Sequence, residues 1–173
     1  MLFRSGTQIV DNIHPVFNID NYICDGFQHV ADVVCHPNLE WSFCRANFDL
    51  LFSSHDSNVY LITQGKRLVR IGETGLPLGI RHSGELNQPI PNSSCRLGGY
   101  RRGKGMLFVR EALKDFTDVS IWAMQCEITE KRVTISGRER IFKSTYHKAL
   151  EKFLLEKCIN LSGSIPPLNP ITK

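Results

Sequence analysis

The sequence predicts an α+β fold: a small three-stranded, mainly antiparallel sheet flanked by helices and preceded by a helical N-terminal extension. Three observations predict it. Residues 59–72 read as a β-hairpin, residues 119–124 form a strongly apolar strand, and residues 145–160 carry the spaced apolar positions of an amphipathic helix.

The extension comes first. Asp25 to Cys35 is expected as one helix, with Phe27, Val30 and Val34 on one face. His36-Pro37-Asn38 breaks it, and Asn38 is placed to cap a second helix from Leu39 to Phe52, whose apolar side is Trp41, Phe48, Leu51 and Phe52. The polar run Ser53 to Asn58 marks a boundary. Residues 1–57 are thus expected as an extension for dimer contacts or specificity, and residues 58–173 as the second unit.

The pattern then changes. Val59-Tyr60-Leu61-Ile62 reads as a strand, Gln64-Gly65-Lys66 as a tight turn, and Arg67 to Gly72 as the partner strand. Gly75 and Pro77 open a loop, with a short helix expected over Leu76 to His82. Residues 83–105 are rich in Gly, Ser, Asn, Pro and Arg, a loop long enough to suggest a function. Met106 to Asp115 reads as helix and Val119 to Met124 as the third strand. Glu127 to Arg140 reads as a hairpin centred on either Glu130-Lys131 or Ser136-Gly137. Ser144 is expected to cap a helix from Thr145 to Asn160, with Ala149, Leu150, Phe153, Leu154 and Cys158 inward. Ile165 to Asn169 reads as a rigid extended turn.

Composition narrows the class only broadly. The chain has 173 residues, 42% of them hydrophobic and 22% charged, which excludes a wholly disordered or collagen-like protein. The net charge of +4 suits a polyanionic partner without demanding one. Six cysteines without a CxxC pair read as reduced thiols. The N-terminus lacks the apolar core of a signal peptide and no stretch approaches membrane-spanning length, so a soluble cytoplasmic protein with no membrane partner is expected.

The hairpin sets a tyrosine on one strand and an arginine beside a glycine on the next, with Arg81 one short helix later. Taken one by one, these residues suit a structural role. Their order resembles the GIY-YIG endonuclease superfamily. Val59-Tyr60-Leu61 stands at the first signature triplet and Arg70-Ile71-Gly72 at the second. Thr74, Leu78 and Arg81 follow in the expected order. Ala149 to Leu155 resembles the helix that carries the metal-binding glutamate, at Glu151, and Pro167-Leu168-Asn169 resembles the proline-asparagine tail. The likeness runs from residue 58 to the C-terminus. It is nearest to the small homodimeric type II restriction endonucleases, which share a short hairpin and a basic residue in place of the second tyrosine, as Arg70 is here.

The resemblance implies a metal-dependent endonuclease acting on double-stranded DNA as a homodimer. Tyr60 would be the general base. A free tyrosine titrates near about 10, so it needs cations nearby, and Arg70 is placed to supply that field. Arg81 would hold the scissile phosphate with its planar guanidinium. Glu151 would hold one Mg²⁺ or Mn²⁺. Glu73 is a departure: relatives often carry histidine or another polar residue there, and a carboxylate can bind the metal, accept a proton, pair with Arg70, or oppose tyrosinate formation. His82 is a substitute proton carrier, and Asn169 either shapes the tail or joins the site. In the loop Arg96 to Gly105, Arg101, Arg102 and Lys104 are candidate DNA contacts. The competing readings are a mobile-element or repair nuclease that nicks one strand, and a catalytically silent nucleic-acid-binding module.

Overall fold

Strand β1 (Gln28–Cys35) leads into β2 (Trp41–Cys44), and after a short helix come β3 (Asn58–Gln64) and β4 (Arg67–Thr74). Later follow β5 (Val119–Gln125), β6 (Ile128–Ile135) and β7 (Arg138–Thr145). Helices among the described residues include α1 (Asp20–Cys24), α2 (Phe48–Leu51) and α3 (His147–Ser162), with a 3₁₀ turn at Pro15–Phe17. This computed structural model describes residues 13–35, 41–79, 81 and 117–169.

The main sheet is five-stranded and antiparallel, in the order β2-β1-β5-β3-β4, where the sequence suggests three strands. The two extra strands are segments expected as helices. Phe27 and Val30 are buried as the helical reading expects, but Val34, set on the same face from the sequence, is 40% exposed, while Ala31 and Val33 turn inward. The cause is a bulge between His29 and Ala31 that shifts the alternation and sets two neighbours inward. The β-branched valines favour the strand. The second expected helix is split: Arg45 takes a left-handed φ of 46°, and among its described residues only Phe48–Leu51 is helical. The cap there is Asn47, whose Oδ1 accepts from Leu50 N–H at 3.2 Å. Asn38 lies outside the described residues.

Other elements follow the sequence more closely. Gly65-Lys66 joins β3 to β4. Of the two centres read for the later hairpin, Ser136-Gly137 is the turn, with φ of 52° and 73°. Paired left-handed residues match the twist of the flanking strands. The long helix begins two residues later than expected. Ser144 and Thr145 pair with Thr129 and Ile128 in the β6–β7 ribbon, so Tyr146 holds the N-cap without a side-chain bond. The expected helix Met106 to Asp115 lies outside the described residues.

Each face of the sheet has its own core. Tyr60, Ile62, Ile121 and Val33 pack with Leu51, Leu78 and Leu168 on one side. Val59, Leu61, Leu68 and Ile71 pack with Leu154 and Cys158 of α3 and with Val16, Ile19 and Tyr22 on the other. Burying each such Leu or Ile contributes about 1.5–3 kcal/mol. The two cores hold β3 and β4 from both sides, and the candidate site lies at the β4 edge. Among the described residues no helix is long and apolar enough to cross a membrane.

Candidate active site

Tyr60 faces Gly72 across the β3–β4 ladder. A Cβ on Gly72 would lie 2.5 Å from the Tyr60 Oη. The absent side chain therefore leaves the space over which the phenol crosses β4. Tyr60 is fully buried, and its hydroxyl accepts a hydrogen bond from Arg81 Nη2 at 3.2 Å. The Arg81 guanidinium carbon lies 5.8 Å from the ring centroid.

The turn after β4 sets Arg81 there. Thr74 Oγ1 accepts from Leu76 N–H at 2.9 Å and folds the strand end back. Arg81 N–H donates to Pro77 O at 3.0 Å, closing one helical turn. Leu78 is buried beside Tyr60, and a Cβ on Gly79 would meet Leu51 O at 2.5 Å, so this turn sits directly on α2.

Arg70 lies two residues before Gly72, on the same face of β4 as that glycine. Its Nη1 donates to Leu168 O at 2.8 Å, while its buried Nε has no hydrogen-bond partner among the described residues. The tail holds Leu168 in place. Leu168 N–H donates to Val69 O at 2.9 Å. Asn169 Oδ1 accepts from Ile71 N–H at 2.9 Å, and its Nδ2 donates to Ile71 O at 2.6 Å. The Asn169 amide thus satisfies both backbone groups of Ile71, much as a neighbouring strand does.

Glu151 approaches from α3. Burial raises its carboxyl above the ordinary glutamate range, repulsion from Glu73 adds to this, and Arg70 and Arg81 oppose it. The four charged groups therefore act on one another. Glu73 belongs to the opposite side of β4 from Tyr60, opposite Val59 in the register. Its Oε2 lies 3.1 Å from His147 Nε2. His147 is buried, and its Nδ1 is 3.0 Å from Ser57 Oγ. The pairing of Glu73 with Arg70 weighed from the sequence is replaced by this pairing with His147.

The Tyr60 hydroxyl thus meets Arg81, Arg70 and Arg81 act on Glu151 together with Glu73, and the tail braces β4, with Leu168 at Arg70 and Asn169 at Ile71. His82, Arg101, Arg102 and Lys104 lie outside the described residues. Sequence reasoning passes over His147 and Ser57. A signal for His147 exists: it precedes Glu151 by four residues, which sets both on one face of a helix.

The carboxylates suit a hard divalent cation. Glu151, half-buried with a second carboxylate in electrostatic reach, offers the kind of oxygen ligand that such an ion takes. No group of three or more His, Cys, Asp or Glu gathers among the described residues, so water and substrate oxygens would complete the shell, as Mg²⁺ tolerates.

No family model matches this chain, and no curated protein does. Among solved structures, a point mutant of bacteriophage T4 EndoII aligns with a TM-score of 0.51 at 15% identity, covering 88% of this chain and 99% of that one. Restriction endonuclease HPY188I in complex with product DNA aligns at 16% identity over 96% of both chains, with a TM-score of 0.48. The chain shares its fold with the T4 EndoII structure.

Proposed function

We propose that this chain is a metal-dependent DNA endonuclease of the GIY-YIG type, with Tyr60 as general base. One observation carries the reading: the Tyr60 hydroxyl receives a guanidinium hydrogen bond from Arg81 at 3.2 Å, and Arg81, with Arg70, lies in electrostatic reach of Glu151. The fold shared with T4 EndoII, a phage endonuclease, supports it.

In this reading a water oxygen attacks the phosphorus of a phosphodiester. Tyr60 first releases its own proton to solvent; the phenolate then takes the water proton, and the bond from phosphorus to the departing sugar oxygen breaks, that oxygen taking a proton from solvent. Arg81 stabilises the charge that forms on the phenol as its proton leaves and neutralises the phosphate in turn. Arg70, held by Leu168 O, presents its unpartnered Nε to a phosphate oxygen. Glu151 holds the cation, which when bound stabilises charge on the leaving oxygen. Tyr60 is buried, so the Arg81 turn must yield as substrate enters. Glu73 does not oppose charge on Tyr60, because it pairs with His147 on the other side of the strand.

The chain is further proposed to cut both strands at a specific site as a homodimer, with the two-fold symmetry of the protein matched to that of the site. The test is a plasmid digestion with Mg²⁺ or Mn²⁺, run beside Tyr60→Phe and Glu151→Ala. Discrete bands from the unaltered chain alone support it. Relaxed circles alone make it a nicking enzyme, and binding without cutting in every metal makes it a silent nucleic-acid-binding module.

A further inference from the structure

The β6–β7 ribbon stands outside both cores. Its residues are exposed along almost their whole length, and it packs on neither face of the main sheet. At about 3.4 Å per residue, eight-residue strands give an arm about 27 Å long.

Its two faces differ in how charge is compensated. The register places Ile128, Glu130, Arg132 and Thr134 on one face with Thr145, Lys143, Ile141 and Glu139. There every charge is matched: Lys143 lies 3.1 Å from Glu130, and Arg132 lies 3.6 Å from Glu139. The other face carries Thr129, Lys131, Val133 and Ile135 with Ser144, Phe142, Arg140 and Arg138. It holds three cations and no carboxylate. Among the described residues no acid comes within ion-pair distance of Lys131, Arg138 or Arg140. Its apolar side chains stay open as well: Phe142 is 51% exposed and Ile135 50%.

We infer that this ribbon is a DNA-binding arm whose Lys131–Arg138–Arg140 face lies against the phosphate backbone of a duplex. Only the choice of duplex DNA as partner rests on the endonuclease reading. A two-stranded ribbon fits the major groove, and a face with cations and no acid suits a polyanion. Hydroxyls of Thr129 and Ser144 add donors for phosphate oxygens. A second copy of the chain is disfavoured as occupant, because a two-fold contact would set the same cations against each other. The arm also runs straight into the start of α3, so DNA held on it is held relative to Glu151.

The test measures binding of a labelled duplex by fluorescence anisotropy in metal-free buffer, over a range of salt. Arg138→Ala/Arg140→Ala is compared with Arg132→Ala/Lys143→Ala, which removes the same charge from the matched face. The first pair is expected to weaken binding about tenfold or more at moderate salt and to lower the salt slope by about 2. The second pair is expected to leave the slope within about half a unit of the parent value. Equal losses from both pairs, or none from either, overturn the arm. A changed mass in sedimentation with unchanged DNA affinity also overturns it, in favour of a second copy. Arg138→Gln/Arg140→Gln repeats the measurement if the alanine pair fails to fold. The binding readout needs no cleavage, so failure of the catalytic reading leaves it intact, and failure of the arm leaves cleavage chemistry to be judged separately.

Discussion

His147 Nε2 and Glu73 Oε2 meet 3.1 Å apart, joining the first residue of α3 to the end of β4. Ser57 holds the other ring nitrogen, so the imidazole bridges three segments of chain. His147→Ala is expected to lower stability by about 2–4 kcal/mol, since it opens a cavity and strands a buried hydroxyl and a carboxylate. Urea unfolding checks this. A midpoint unchanged from the parent would mean that the bridge contributes nothing to stability.

Tyr60→Phe removes one oxygen and keeps the packed ring. Cleavage is expected to fall at least about a hundredfold, with duplex affinity kept within about a factor of three. Single-turnover digestion and anisotropy together separate the two. Retained cleavage would remove Tyr60 from the chemistry.

Gly72→Ala places a methyl group against the Tyr60 phenol. Overpacking of this kind costs about 1–3 kcal/mol and turns the ring away from Arg81. Activity is therefore expected to drop more than stability does. Thermal unfolding and digestion of the same preparation would show it.

The Glu151 carboxyl is raised by burial and by Glu73. A raised carboxyl keeps its proton to higher pH in the folded chain than in the unfolded one. Its contribution to stability is complete below the ordinary glutamate value and is lost as pH rises through the raised value. Without metal, the parent should lose stability across that window and Glu151→Gln should not. Cation affinity should change in the opposite sense, rising as the carboxyl ionises. Calorimetric titration with Ca²⁺ at several pH values measures it, and a flat profile would count against Glu151 as the ligand.

Asn169→Ala leaves the N–H and C=O of Ile71 without their side-chain partner. The expected cost is about 1–3 kcal/mol. Asn169→Asp is expected to recover only the N–H bond, because a carboxylate repels the carbonyl oxygen. Equal midpoints for Asn169→Asp and the parent would show that only the N–H bond matters.

The sequence is legible where local chemistry and tertiary packing agree. Tyr60, Gly72 and Arg81 lie close together in sequence, on a hairpin and the turn after it, so their order already implies their contact. The strand at Val119–Gln125 is clear as well, but not its central position between β1 and β3. β1 reads as helix because the bulge at His29/Ala31 disguises its alternation. The start of α3 is displaced because Ser144 and Thr145 are drawn into a ladder with residues far behind them. The bridge from His147 to Glu73 is invisible in another way: its partners lie in separate elements, and no local pattern reports a long-range pairing.

The tail on β4 also bears on how the chain reaches its working state. Leu168 and Asn169 reach back across 98 positions to Arg70 and Ile71. Closing so long a loop costs entropy before any contact offsets it, so the clamp belongs among the late steps of folding. Arg70 gains its fixed orientation only then. A collapsed intermediate would carry the hairpin and its tyrosine while lacking an ordered Arg70, and the proposed chemistry would wait until the tail had docked.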